Sequence, residues 1–66
     1  MKLYEVPRNS WVKPISETKA PPGARTVLVG EKVKFHHIDG MYSYCHDEKH
    51  NVVHLLAWQE VEIINE

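Results

Sequence analysis

The stretch Lys32-Val33-Lys34-Phe35-His36-His37-Ile38-Asp39-Gly40-Met41-Tyr42-Ser43-Tyr44 decides the fold. From Lys32 to Ile38 the residues alternate: Val33, Phe35 and His37 on one face, Lys34, His36 and Ile38 on the other. Asp39-Gly40 then stands between two β-prone runs. This is the strongest short-range hairpin signal, because both residues tolerate the positive φ of a type I′ turn. A two-residue turn there pairs Ile38 with Met41, His37 with Tyr42, His36 with Ser43 and Phe35 with Tyr44. The register assigns Val33, Phe35 and Tyr44 to the core and leaves Lys34 and Ser43 on the other face.

Beyond the hairpin, residues 47–51 are a polar turn and Val52 to Leu56 returns as a strand. Ala57-Trp58-Gln59-Glu60 is too short for a stable helix and reads as one 3₁₀ turn. Val61 to Ile64 is the last strand. On the other side, Leu3 to Val6 and Trp11 to Ile15 are extended segments joined by a turn at Pro7-Arg8-Asn9-Ser10. Pro14 keeps the second of these from being a central strand along its whole length. Residues 16–26, with two prolines and a glycine, form a long loop, expected to be mobile. Val27-Leu28-Val29 is apolar, and Gly30-Glu31 turns the chain. No window keeps apolar positions at helical spacing. The expectation is a mainly β fold, a single domain over residues 1–66. Its five or six short antiparallel strands curl into a partly closed barrel with one short 3₁₀ turn.

In this order of elements the chain resembles an SH3-like barrel. Leu3-Tyr4-Glu5-Val6 looks like the first strand, and Val29-Gly30-Glu31-Lys32-Val33 is similar to the diverging turn. His54-Leu55-Leu56-Ala57-Trp58-Gln59-Glu60-Val61-Glu62-Ile63 looks like the fourth strand, the 3₁₀ turn and the fifth strand. The chain departs from the members that bind Pro-rich peptides. It has no proline after Pro22, and Met41-Tyr42 stands where paired tryptophans open their third strand. What the resemblance implies is the plain adaptor role that SH3-like folds serve in ribosomal, transcriptional and phage proteins. The chain has the look of a small accessory protein of a virus or bacterium.

Composition narrows the function classes. One cysteine, Cys45, excludes an intramolecular disulfide and a four-cysteine zinc site. No segment reaches the roughly 20 apolar residues of a membrane span. No apolar run of signal-peptide length opens the chain, so a cytoplasmic setting is expected, the host's cytoplasm if the protein is viral. The net charge is −1, with the basic residues concentrated in the first half and all five histidines in the second. There is no short basic cluster, so the charge pattern reads as a mixed, solvated surface.

The sequence has no phosphate loop, dinucleotide fingerprint or paired-carboxylate signature, and no cofactor or catalytic residue is assigned. Cys45 beside His46 reads as a half-buried small side chain rather than a nucleophile, because adjacent strand residues point apart. His36, Cys45, His46 and His50 are the weak candidates for a transition metal. They lack the ligand spacings of known zinc modules, so no metal is assigned. His36 and His37, being consecutive in a strand, cannot serve one ion without a bulge. Trp11, beside a turn, and Tyr42, beside the hairpin tip, are candidates for an exposed contact patch with Arg8 and Met41. The expected function is a protein-interaction module, with a homo-oligomer as its commonest form. The alternative is a nucleic-acid-binding barrel, which requires Arg8, Lys13, Lys19, Arg25 and Lys32 to converge on one face.

Overall fold

The computed structural model describes residues 1–64; the last two positions of the expected domain lie outside the described residues. A 3₁₀ turn over Leu3–Glu5 precedes five strands: β1 (Trp11–Pro14), β2 (Val33–Asp39), β3 (Tyr42–Asp47), β4 (Val52–Val53) and β5 (Val61–Ile63). They form one antiparallel sheet in the order β4-β3-β2-β1-β5. The small mainly β fold expected from the sequence is present. The sheet ends on β4 and β5 and does not close.

One face carries the core. Leu3, Val12, Val33, Leu55 and Val61 are fully buried, with Val6, Val27, Phe35, Cys45 and Val53 packed among them. Phe35 is the one aromatic ring in this cluster.

The hairpin turn is displaced by one residue from the expected one, which moves each cross-strand partner beside it by two. The observed pairs are Asp39 with Tyr42, Ile38 with Ser43 and His37 with Tyr44. The two turn residues are therefore Gly40 and Met41. Gly40 has φ +67° while Met41 is outside the left-handed region, the pattern of a turn with glycine in its first central place. A two-residue shift by itself keeps each side chain on its face. Beyond residue 36, counting away from the turn, the net offset is one, Phe35 pairing with Cys45 instead of Tyr44, and an offset of one turns β3 over relative to Val33 and Phe35. Ser43 and Cys45 go to the core, and Tyr44, expected inside, goes to the outer face.

The extra residue that makes this odd offset lies on β2 and puts Ser43 and Cys45 on the face of Val33 and Phe35. Between Phe35–Cys45 and His37–Tyr44 the ladder skips His36, a β-bulge. Before the bulge the odd positions point inward. After it Ile38 packs on the core instead.

Other boundaries shift for local reasons. Leu3–Glu5 is the 3₁₀ turn, not a strand: Glu5 N–H donates to the Lys2 carbonyl at 2.9 Å, and the Glu5 carboxylate accepts the Lys2 N–H at 2.9 Å. The 57–60 segment is a simple turn closed by Gln59 N–H on the Leu56 carbonyl at 3.0 Å. The expected strand Val52 to Leu56 shortens to Val52–Val53, with Leu56 bridging to Tyr42.

Pro14 lies within β1 despite its missing N–H. Backbone bonds from Ile64 N to Trp11 O and from Ile15 N to Glu60 O show that odd positions face β5. The Pro14 nitrogen thus faces the β2 side, where pairing covers only Trp11 and Val12.

Within residues 16–26, Thr18 is buried and its hydroxyl donates to the Val27 carbonyl. Gln59 Nε2 donates to the Ser16 carbonyl at 3.2 Å, which ties the start of the loop to the turn before β5.

Candidate docking face

The face of the sheet turned away from the core is lined with rings. On β3, Tyr42, Tyr44 and His46 alternate with the inward Ser43, Cys45 and Asp47. Across the sheet, Trp11 of β1 pairs with Lys34 of β2, and Lys34 with His46. The Trp11 and His46 rings meet edge to face at 5.8 Å, and Lys32 Nζ lies 4.9 Å over the Trp11 ring.

The bulge adds the next two rings. His36 lies 5.4 Å from Tyr44, and His37 stacks on the same Tyr44 at 5.3 Å with planes 2° apart. In an unbroken strand these two histidines would point to opposite faces; the extra residue puts both against one tyrosine.

His36 and His46 are 4.6 Å apart between ring centres, with His36 Nε2 2.6 Å from His46 Nδ1. One of these nitrogens donates and the other accepts. His50 closes the row, its ring 5.1 Å from that of His46. It stands in the β3–β4 turn at φ +66°, a conformation more usual for glycine or asparagine. The His46 imidazole is held below its ordinary pKa, first by desolvation, then by His36, His50 and Lys34.

The turn that presents His50 is built on Asp47. Its Oδ1 accepts the backbone N–H of Lys49 and of Asn51, each at 2.9 Å. Its Oδ2 accepts Asn51 Nδ2 at 3.3 Å and an Arg25 guanidinium N–H at 3.2 Å. The Asn51 N–H, more than any other partner, keeps the Asp47 carboxyl below its usual range. Arg25 also forks onto Glu31, at 2.9 and 2.7 Å.

The four residues expected to form a contact patch separate into parts. Trp11 and Tyr42 share the outer face, half-buried. Arg8 is exposed in the turn before β1, and Met41 is exposed at the hairpin tip. Tyr42 and His46 stand at opposite ends of β3, four residues or about 13 Å apart. Of the basic residues required for nucleic acid, Arg25 is tied to Glu31 and Asp47, and Lys13 lies 3.9 Å from Glu62.

The metal candidates also part. Cys45 is buried on the core side, where its Sγ lies 3.3 Å from Ser43 Oγ. Burial pushes its thiol pKa up, away from a reactive thiolate. Among the described residues no three His, Cys, Asp or Glu side chains are grouped to hold a metal ion, and none is assigned as a ligand. His54 is committed elsewhere, its Nδ1–H donating to the Ser43 carbonyl at 2.8 Å.

Tyr44, His37 and Lys34 were not singled out as binding residues from the sequence. The signal that finds them is the period-two run Tyr42-x-Tyr44-x-His46, legible only in the correct register. No protein family, curated protein or solved structure matches the chain.

Proposed function

We propose that this chain is a small protein-interaction module, an adaptor or regulatory unit, that docks its partner on the ring-lined outer face of the sheet. The observation that carries the reading is the continuous ring row Trp11–His46–His36–Tyr44–His37, on the face the core does not use. Trp and Tyr concentrate binding energy at interfaces because they bury large area at little entropic cost. Rings already packed against one another lose still less freedom on docking. The sheet order, with β5 laid back against β1, supports an SH3-like topology as the scaffold. A buried, unpaired cysteine fits a reducing cytoplasm.

A second reading, single-stranded nucleic acid, is favoured by Lys32 over Trp11 and by Lys34 between Trp11 and His46. It ranks lower because the net charge is −1 and other cations on the molecule are engaged by carboxylates.

The test is a pull-down with the tagged domain, with and without nuclease, beside the double variant Trp11→Ala/Tyr44→Ala. A protein retained by the natural chain despite nuclease, and lost by the variant, is the expected result. Recovery that vanishes with nuclease moves the assignment to the second reading. Equal recovery by both chains refutes the face as the docking site.

A further inference from the structure

His46 sits at the centre of the docking face, with groups on every side that affect its charge. Lys34 is its register partner on β2, and His36 reaches it from the bulge. Trp11 of β1, with Lys32 above it, meets its ring edge, and His50 approaches from the β3–β4 turn. Val52 of β4 pairs with it and brings no charge. Its neighbour Asp47 is already engaged by Arg25, Lys49 and Asn51 on the inner side.

The contact between His36 Nε2 and His46 Nδ1, at 2.6 Å, needs one N–H and one lone pair. The neutral pair supplies both. A first added proton goes to an outer nitrogen, His36 Nδ1 or His46 Nε2, and the bridge survives as a charge-assisted hydrogen bond. A second added proton has only the bridging lone pair to occupy. Two N–H groups then face each other and two imidazoliums stand side by side, with Lys34 and His50 beside them. The pair accepts one proton with its bond intact and breaks on the second.

We propose that the His36–His46 bridge is a proton-operated latch of the docking face: it holds the rings of Trp11, His46 and His36 as one surface, and double protonation in weak acid parts the imidazoles and dismantles that surface. The depressed pKa of His46 agrees with its taking the second proton. His50, whose ring lies against that of His46, offers no countercharge to the doubly protonated pair. The consequence for binding rests on the docking reading above, since a dismantled face releases its partner.

The latch is testable without a partner. Trp58→Phe leaves Trp11 as the single tryptophan, so its emission reports on the His46 edge contact while ring C–H resonances of His36 and His46 are followed from about pH 8 to about pH 4. The expected result is that the His46 resonances move in a step below the ordinary histidine range, with Trp11 emission changing in that same step. His36→Phe keeps a ring but removes the bridge; His46 should then titrate in one step nearer its ordinary value of about 6.5. His46→Phe should abolish the emission step. Independent single steps at ordinary values, or an emission step unmoved by either variant, would overturn the latch. A partner found through the ring face should be retained at about pH 7 and released at about pH 5 by the natural chain. Binding equal at the two pH values in the natural chain would overturn it as well. Loss of the docking reading itself would show differently, as a Trp11→Ala/Tyr44→Ala chain that still captures its partner.

Discussion

His37 lies flat on Tyr44 across β2 and β3, their planes 2° apart, and His36 touches the same ring from the bulge. The bulge is thus where fold and candidate function meet. It brings Ser43 and Cys45 onto the core face that Val33 and Phe35 occupy, and by the same extra residue it turns two consecutive imidazoles outward.

Gly40→Val should destabilise the hairpin by more than about 1 kcal/mol, because a β-branched residue is strained at φ +67°. Space is not the obstacle, since no atom lies within 4 Å of the place a Cβ would take. Deleting His36 should cost less than Gly40→Val, because Phe35–Cys45 and His37–Tyr44 then become consecutive pairs of a regular ladder with Val33 and Phe35 still inward. Urea midpoints of the two variants test the order; a deletion variant less stable than Gly40→Val would refute the reading of His36 as the extra residue of the bulge.

Ser43→Ala should cost about 1–3 kcal/mol. The Ser43 hydroxyl donates to the Leu55 carbonyl at 2.9 Å and accepts the Leu55 N–H at 3.2 Å in the core. Ser43 therefore ties the strand to the segment after β4. Hydrogen exchange at Leu55 should rise more than at Val12, which checks that the loss is local.

Leu55→Ala should cost about 2–5 kcal/mol, since Leu55 is fully buried. Trp58→Ala, at a side chain 47% exposed, should stay within about 0.5 kcal/mol. Thermal melts of both variants compare the two sites directly, and a larger loss at Trp58 would mean that its ring carries packing not visible on the surface.

Acid should weaken the fold in two stages. His46 has a folded pKa below its unfolded value, so its contribution is present above about pH 6.5 and is lost as pH falls from there toward the lower folded value. Asp47, Glu31 and Glu60 are also depressed, Glu31 chiefly by Arg25 and Glu60 chiefly by Lys2. Their contribution is present above about pH 4 and is lost as pH falls through their folded values. Urea midpoints against pH should show both limbs, and Asp47→Asn should flatten the lower one while sparing the upper.

Cys45 should resist alkylation by iodoacetamide at neutral pH until the chain unfolds, as its side chain is fully buried and its thiol pKa is raised. Labelling of the native chain at the rate of a free thiol would place Cys45 outside the core.

By itself the sequence determined that strands dominate, that a hairpin centres near Gly40, that Val33 and Phe35 face inward and that no disulfide forms within these 66 residues. These follow from period-two alternation, from the φ that glycine permits and from the presence of a single cysteine. Tertiary structure alone decided the register. A turn beginning at Asp39 and one beginning at Gly40 are nearly equal locally. What separates them is burial: with the bulge at His36, the small Ser43 and Cys45 fit beneath the sheet and the hydroxyl of Tyr44 stays on the outer face. Pairing of Lys2 with Glu60 and Leu3 N–H with the Gln59 carbonyl made a 3₁₀ turn of a segment that reads as a strand. The ring row is likewise a tertiary fact. It draws on β1, β2, β3 and the β3–β4 turn, and only the sheet brings residues so far apart in the chain to within a few ångströms of one another.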